Sequence, residues 1–205
     1  RREMRCAGNG FAGISRMKLL AILQQRCREE GIGLHFGVSV PPEEIATRFA
    51  DSDVVVAADG VNSRIREHFR TAFEPDVAIK SNRFCWMGST RPMDEFNYFF
   101  RQTEHGIICA HTYQYEAGRS TWIFEMDDAC WRGHGFDGMD EAASKAVLEA
   151  LYADELQGHP LLLNRSNWRQ FPRIFCNRWS HDNIVLLGDA KASAHNPRSA
   201  IEVDN

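Results

Sequence analysis

The sequence predicts an α/β fold interrupted by an antiparallel insert, and three observations support this fold class. Residues 53–58 are a run of small and β-branched apolar residues that ends in an Asp-Gly pair. Residues 183–187 form a second such run, which ends in Gly-Asp-Ala. Runs of this kind are typical of buried parallel strands. Between them lie short aromatic-rich segments separated by turn residues, which is typical of antiparallel hairpins.

The elements of the first part of the chain follow from the spacing of apolar residues. Residues 14–30 repeat apolar side chains near the helical period, which predicts an amphipathic helix with Ser15 as its N-cap and Gly31 beyond its last turn. Residues 34–40 predict a strand, and residues 43–49 predict a short helix after a Pro-Pro break. The run that follows predicts a buried strand in a parallel sheet.

The middle of the chain predicts an antiparallel sheet. Its strand candidates are residues 83–90, 97–102, 106–115 and 120–126. Residues 116–119 read Glu-Ala-Gly-Arg, which favours a hairpin turn between the last two strands. Residues 139–156 then predict a helix, and residues 168–175 predict a strand that Pro172 interrupts. The apolar run at residues 183–187 predicts the last strand.

Length, composition and charge narrow the class of protein. A chain of 205 residues suits one large domain or two small ones. Its 43% apolar and 25% charged residues are ordinary for a globular protein. Because the formal net charge is −4, nucleic acid is not an expected partner. No apolar run approaches the roughly 20 residues that cross a bilayer, so no membrane association is expected.

The cysteines indicate the cellular compartment of the protein, and the first residues indicate whether the chain is part of a longer one. The six cysteines include no C-x-x-C pair, which favours reduced thiols in a cytoplasmic protein over a zinc site or a disulfide scaffold. No signal peptide is recognisable at the start of the sequence. The first residue is Arg1 rather than Met, so we expect the chain to begin within a longer gene product.

A glycine-rich run near the start matches G-x-G-x-x-G in form. It spans residues 8–13, and its glycines are Gly8, Gly10 and Gly13. A dinucleotide-binding turn of this type follows a buried strand, whereas residues 1–7 are polar and basic. The run is therefore interpreted as a glycine-rich approach to the first helix.

The first strand-end motif begins with Asp59 and Gly60. A strand that ends in Asp-Gly presents polar groups at the carboxyl edge of an α/β sheet, where ligands bind. Gly60 permits close approach of a ligand to the backbone, and Ser63 can cap the following helix. The nearby Arg64 and Arg66 can bind a phosphate or hold Asp59 through a bidentate pair. A plain strand–turn–helix with a capping aspartate is the alternative interpretation.

The second strand-end motif is Gly188-Asp189-Ala190. An aspartate at the tip of a strand can accept hydrogen bonds from the hydroxyl groups of a ribose or a ribityl chain. An Asx turn without a ligand is the alternative interpretation. Two acidic strand ends on either side of an antiparallel insert are more specific than either motif alone.

Together these residues resemble a known family, the single-component FAD-dependent aromatic hydroxylases of the p-hydroxybenzoate hydroxylase class. The residues that match its motifs are Asp59, Gly60, Ser63 and Arg66 for the DG motif, Gly188, Asp189 and Ala190 for the GD motif, and Arg16 for the arginine that begins the helix against the flavin. The sequences around Gly13 and Asp189 look most like the branch with salicylyl-CoA 5-hydroxylase and 2-aminobenzoyl-CoA monooxygenase.

The resemblance implies a fold, cofactors and a substrate class. It implies the three-layer FAD/NAD(P)-binding fold, with residues 1–75 and 165–205 as parts of the FAD-binding domain and residues 76–164 as the antiparallel substrate-binding insert. FAD and NAD(P)H would be the cofactors, with molecular oxygen and a small aromatic molecule, an aryl-CoA thioester among the candidates, as substrates. His195 is the first candidate catalytic residue and His111 the second. No metal site is expected.

The sequence departs from the family pattern at both ends. The N-terminal βαβ unit that binds the FAD pyrophosphate has no counterpart here, and no glycine follows Gly188. We therefore expect an incomplete hydroxylase. Two alternatives stay open, a non-catalytic fragment or ligand-binding domain of a flavoprotein and a related flavin-dependent reductase or halogenase.

Overall fold

The chain divides into two units of dense internal contact. The computed structural model describes residues 3–8 and 10–193. Within them, unit 1 comprises residues 3–34 and 83–169, and unit 2 comprises residues 35–82 and 170–193. The predicted functional domains have other boundaries and stay a prediction.

The helices and strands are numbered in chain order. The helices are α1 (Arg16–Glu29), α2 (Ile45–Arg48), α3 (Arg64–His68), α4 (Arg70–Phe73), α5 (Asp128–Gly133), α6 (Glu141–Leu151) and α7 (Ala153–Leu156). The strands are β1 (Val55–Ala57), β2 (Pro75–Ser89), β3 (Asn97–Thr103), β4 (Gly106–Glu116), β5 (Arg119–Met126), β6 (Leu161–Leu162), β7 (Arg169–Cys176), β8 (Ser180–His181) and β9 (Ile184–Leu186). The mixed α/β class predicted from the sequence is confirmed.

Unit 1 is built on the predicted antiparallel sheet. The strand order is β3-β4-β5-β2-β6, so consecutive strands β3, β4 and β5 are neighbours. The β4–β5 turn contains Gly118 with a φ of +66°, a left-handed conformation that glycine adopts without steric cost. Asp127 and Asp140 cap α5 and α6 by accepting hydrogen bonds from backbone N–H groups in their first turns.

One face of this sheet forms the core of unit 1. Side chains alternate between the two faces of a strand, and those directed to the core come from β2, β4 and β5. They are Cys85, Met87, Ile108, Ala110, Trp122, Phe124 and Met126, and the helices contribute Leu148, Tyr152 and Leu156. The Tyr152 hydroxyl donates a hydrogen bond of 2.8 Å to the Ile108 carbonyl oxygen, which satisfies its buried polar end.

The first helix forms where the sequence predicts it, but it contributes no buried residue. The Ser15 hydroxyl accepts a hydrogen bond from the Lys18 N–H, and Gly31 after the last turn has a φ of +70°. None of the residues of α1 is buried. The predicted apolar side of this helix is therefore not buried by any of the described residues.

Unit 2 contains the predicted parallel strand pair. β1 pairs with β9 in parallel, and β8 pairs with β9 in antiparallel. Ala57, Ile184 and Leu186 lie in its core with Phe73 and Cys176. The sequence predicts that β1 is a buried strand. This prediction is wrong for Val56, whose side chain is 55% exposed. Side chains alternate along a strand, so Val56 points away from the core that Val55 and Ala57 contact.

Two other expectations about strands are corrected. Residues 34–40 form no strand, and Gly37 within them has a φ of +68°, which is incompatible with an extended chain. The predicted interruption at Pro172 is also wrong, because β7 runs through it. Proline fixes φ near the extended region and removes only one donor.

Within residues 3–8 and 10–193, no helix is both long enough and apolar enough to cross a membrane.

Candidate functional site

The two strand-end motifs lie side by side in unit 2. Ala57 at the end of β1 is opposite Leu186 at the end of β9. The Leu187 N–H donates a hydrogen bond of 3.0 Å to the Ala57 carbonyl oxygen, which extends the pair by one step. Because the strands are parallel, the turns after them leave the same edge of the sheet. The two motifs therefore share one edge of the sheet.

Arg66 connects these two turns through buried hydrogen bonds. Its side chain donates to the Val61 carbonyl oxygen at 2.8 Å, to the Ala190 carbonyl oxygen at 3.1 Å and to the Asp189 carbonyl oxygen at 3.4 Å. Arg66 is only 6% exposed. A guanidinium has a fixed fork of donors, so it can hold several carbonyl groups in one arrangement. Its role within unit 2 is to join the two motifs.

The carboxylate of Asp59 begins helix α3. It accepts hydrogen bonds from the backbone N–H groups of Arg64 at 2.9 Å and Ile65 at 3.3 Å. The Ser63 hydroxyl accepts a further one from the Arg66 N–H at 2.9 Å. The predicted bidentate pair between Asp59 and Arg66 is not formed, because Arg66 is directed to backbone carbonyl groups instead. Asp59 and Ser63 therefore both cap the start of α3.

The turns themselves are open enough for a ligand. Gly60 has a φ of +83° and Gly188 a φ of +60°, and among the described residues, apart from the chain neighbours, no atom lies within 4 Å of a Cβ built at either position. Asp189 is exposed. Among the described residues, the buried Nε of Arg66 has no hydrogen-bond partner. An exposed acceptor, open backbone and an unsatisfied guanidinium nitrogen fit a polar cofactor rich in hydroxyl and phosphate groups, as FAD is.

Three further residues are predicted for the site: Ala190, Arg16 and His195. Ala190 is buried, and its carbonyl oxygen is one of the Arg66 acceptors. Arg16 is the exposed first residue of α1 and belongs to unit 1. His195 lies outside the described residues.

Unit 1 has a second candidate surface, the face of its sheet that does not form the core. We call it the aromatic face. One row across the sheet consists of Tyr98, His111, Ile123 and Trp86, which are register partners on β3, β4, β5 and β2. The next row consists of Phe100, Cys109, Glu125 and Phe84. Cross-strand partners point to the same side of a sheet, so these residues share one face.

The aromatic residues of the insert divide between the two faces. Trp122 and Phe124 are fully buried in the core. Trp86, Tyr98 and Phe100 are instead 51%, 50% and 56% exposed. Three exposed aromatic side chains on one sheet face are typical of a surface that contacts an apolar or aromatic molecule.

The N-terminal segment adds to this cluster. The ring of Phe11 lies 5.0 Å from that of Phe96 and 5.2 Å from that of Tyr113, and Phe96 also contacts Tyr98. A Cβ at Gly13 would collide with the Gln114 carbonyl oxygen, so glycine permits this close approach. This contact is a structural reason for a glycine in the run at residues 8–13.

A buried acid–imidazole pair lies within the aromatic face. The Nε2 atom of His111 is 3.5 Å from the Oε2 atom of Glu125, whose side chain is 2% exposed. The Tyr98 ring is 4.7 Å from the imidazole ring. His111 was predicted as a candidate, but Glu125 was missed. The available signal was a single acidic residue in the otherwise uncharged strand sequence of residues 120–126.

The charge of Glu125 influences its neighbours. Burial, and to a smaller extent the Glu125 carboxylate, raises the pKa of the Cys109 thiol to about 12. The pKa of Tyr98 is raised by burial and then by the charges of Cys109 and Glu125. A low-dielectric site with a carboxylate thus disfavours additional negative charge.

Across residues 3–8 and 10–193, no group of three or more His, Cys, Asp or Glu side chains is placed to hold a metal ion.

Comparison with known proteins agrees with this geometry. The chain is 36% identical over 200 residues to a salicyloyl-CoA 5-hydroxylase of a Streptomyces species, covering 93% of this chain and 38% of that protein. It is 34% identical over 185 residues to the 3-hydroxy-4-methyl-anthranilyl-[aryl-carrier protein] 5-monooxygenase of Streptosporangium sibiricum, covering 90% of this chain and 47% of that protein. The chain thus spans less than half the length of each of these curated relatives.

Structural comparison supports the same fold. A point variant of the oxygenase MHPCO has a TM-score of 0.56 at 15% identity, with 87% of this chain and 51% of that chain covered. The resemblance to flavoprotein aromatic hydroxylases that the sequence predicts is confirmed by these matches. The family model described as FAD binding domain matches residues 43–201. The chain belongs to this FAD-binding domain family.

Proposed function

We propose that this chain carries parts of the cofactor and substrate sites of an FAD-dependent, NAD(P)H-using monooxygenase that hydroxylates an aromatic ring. The observation that carries the proposal is the Arg66 bridge, which holds the two strand-end turns together at one sheet edge. An aryl-CoA thioester such as salicylyl-CoA is the proposed substrate, with molecular oxygen as the second. The name of the Streptomyces relative, a salicyloyl-CoA hydroxylase, supports this choice. A cytoplasmic location belongs to the same proposal.

The cofactor residues are assigned from the geometry of unit 2. The exposed Asp189 carboxylate would accept hydrogen bonds from cofactor hydroxyl groups, and Gly60 and Gly188 would let the cofactor approach the backbone. Arg66 would keep the turns in place, and its Nε atom would face the bound group. When bound, FAD would supply electron transfer from NAD(P)H and the activation of oxygen.

The aromatic face of unit 1 is the proposed contact surface for the substrate ring. Aromatic rings favour edge-to-face and offset stacking over a perfect sandwich. The exposed rings of Trp86, Tyr98 and Phe100 offer such contacts on one side of a rigid sheet. The buried core on the other face keeps this side in place.

Replacing Asp189 with asparagine tests the cofactor assignment. We expect the dissociation constant for FAD to rise about 10-fold to 100-fold, since a hydrogen bond to a charged group is lost. Thermal stability should stay unchanged because the side chain is exposed. Flavin fluorescence in a titration of the purified chain measures the affinity, and circular dichroism measures the stability.

A matched control is Asp182→Asn, in the turn between β8 and β9. Its side chain is 85% exposed, and asparagine tolerates its φ of +50°. This variant should bind FAD as the wild type does. A folded wild-type chain without saturable FAD binding, or equal weakening by both variants, contradicts the assignment.

Arg16→Ala tests the resemblance-based role of the first helix. We expect weaker FAD binding at unchanged thermal stability, since Arg16 is exposed and follows the Ser15 cap without contributing to it. Lys18→Ala is the control, because it removes another exposed cation from the same turn. If FAD affinity is the same in the wild type and Arg16→Ala, then Arg16 does not belong to the site.

A further inference from the structure

We propose that Phe11 and Gly13 are positioning residues for the cofactor, because they hold the segment before α1 against the end of β4 and thereby fix where the helix presents Arg16. The inference rests on the proposed function, in which Arg16 contributes to FAD binding. Phe11 and Gly13 act through the position of the helix rather than by touching the cofactor. We call residues 11–13 the clamp segment.

The helix α1 has no buried residue that could fix its position. All of its residues remain at least partly exposed, and the apolar side chains of Met17 and Leu23 are 76% and 53% exposed. Beyond its C-terminal end, Ile32 is 54% exposed. Most helices in proteins are held by packing of their apolar face. In α1 the contacts of the segment that leads into the helix therefore decide where it lies.

The backbone of the clamp segment lies against the end of β4. The strand β3 begins at Asn97 opposite Thr112, so β4 continues beyond its β3 partner from Tyr113 onwards. Gly13 approaches this part of β4 so closely that an added Cβ would overlap the Gln114 carbonyl oxygen. Since no other residue type lacks a Cβ, only glycine fits at this contact.

The side chain of Phe11 adds ring contacts to the same end of the sheet. Its ring meets those of Phe96 and Tyr113 edge to face, at centroid distances of 5.0 and 5.2 Å. The two partner rings stack on each other at 5.8 Å with an interplanar angle of 10°, so they form one surface for Phe11. Edge-to-face pairs of this kind are favourable beyond the area they bury. Gly13 is two residues before the Ser15 cap, so these contacts end directly at the start of the helix.

The exposure of Phe11 separates positioning from folding. Phe11 is 55% exposed and does not belong to the buried core of unit 1. Removing its ring should therefore leave the stability of the whole chain nearly unchanged. A loss of FAD affinity in such a variant would report the position of α1 rather than unfolding.

Two variants release the clamp segment by independent means. Phe11→Ala removes the ring contacts, and Gly13→Ala forces the backbone away from Gln114. We expect both variants to raise the dissociation constant for FAD about threefold to tenfold and to speed amide hydrogen exchange in α1. Flavin fluorescence of the purified chain measures the affinity, and urea denaturation, which should be unchanged for Phe11→Ala, measures the stability.

Gly10→Ala is the matched control from the same glycine-rich run. Apart from the chain neighbours, a Cβ at Gly10 meets none of the described residues within 4 Å. This variant should show the FAD affinity and the α1 exchange of the wild type.

A double variant shows whether the clamp segment acts through Arg16. If Phe11 positions Arg16, then Phe11→Ala combined with Arg16→Ala should bind FAD within about twofold of Arg16→Ala alone. Independent contributions would instead multiply the two losses of affinity. A general structural effect of Phe11 would also multiply with the loss caused by Arg16→Ala.

Four results overturn the inference. They are wild-type FAD affinity in both clamp variants, losses that multiply in the double variant, weaker FAD binding in the clamp variants but not in Arg16→Ala, and equal weakening by Gly10→Ala and Gly13→Ala. If Gly13→Ala fails to fold, Phe11→Ala carries the same test.

Hydrogen exchange without FAD separates this failure from that of the proposed function. Unchanged exchange in α1 of both variants contradicts the clamp itself, even where the wild type binds FAD. A folded wild type without saturable FAD binding contradicts the cofactor assignment, and with it the role of the clamp segment for the cofactor.

Discussion

Replacing Arg66 with alanine is expected to lower the free energy of unfolding by about 3 kcal/mol, because the hydrogen bonds from a buried, charged guanidinium to three backbone carbonyl groups are lost. The acceptors are the carbonyl oxygens of Val61, Asp189 and Ala190. FAD binding should be lost as well, since the two turns would no longer be connected. Denaturation followed by circular dichroism measures the stability, and amide hydrogen exchange in β1 and β9 shows where the change occurs.

The neighbouring Arg64 provides the control for this change. It is exposed on the same helix, and only its backbone N–H takes part in the described hydrogen bonds to Asp59. Arg64→Ala should therefore alter stability by less than about 0.5 kcal/mol. Unchanged exchange of the β1 and β9 amides in Arg66→Ala would show that the bridge does not hold the two strand ends.

Replacing Trp122 with alanine should lower the free energy of unfolding by about 3–5 kcal/mol, the usual range for removing a large core ring. Trp122 is fully buried and contacts the rings of Phe99, Phe124 and Tyr152 at centroid distances of 5.8, 6.1 and 6.4 Å. The lost contacts would leave a cavity between β5 and the helices of unit 1. Urea denaturation followed by far-ultraviolet circular dichroism measures the change.

Trp86→Ala is the matched comparison from the opposite face of the same sheet. Because Trp86 is 51% exposed, its removal should cost less than about 1 kcal/mol while it weakens binding of an aromatic ligand. We thus expect Trp122→Ala to lower the free energy of unfolding and Trp86→Ala to lower the affinity for an aromatic ligand. Equal loss of stability in both would contradict the assignment of one face to the core and the other to a ligand.

The parallel pair and its turns could be predicted because their signals are strong and local. An apolar run followed by Asp-Gly or Gly-Asp indicates a strand that ends at a ligand edge, and both such runs form the strands β1 and β9. The Ser15 cap and the Gly118 turn were predictable for the same reason, since each depends on a few adjacent residues.

The predictions that failed, or were not made, concern the strand at residues 34–40 and the partners of Arg66 and Glu125. These features cannot be inferred from the residues next to them in the sequence. The run at residues 34–40 alternates as a strand does, but Gly37 adopts a left-handed conformation there. The role of Arg66 depends on carbonyl groups 123 and 124 residues away. Glu125 gains its significance from His111 on the neighbouring strand. Only the folded register brings these partners together.

The strands of the parallel pair, β1 and β9, are far apart in the sequence, and this distance determines which strands can pair early in folding. In unit 1, β3, β4 and β5 join neighbours along the chain by short hairpins. In unit 2, β1 has to wait for β9, and the Arg66 contact that follows closes a loop of 124 residues. Loop closure of this length is entropically costly and slow compared with hairpin formation. During synthesis on the ribosome, β1 therefore remains without its parallel partner until β9 has emerged, and its exposed edge is the segment that we expect chaperones to protect in the meantime.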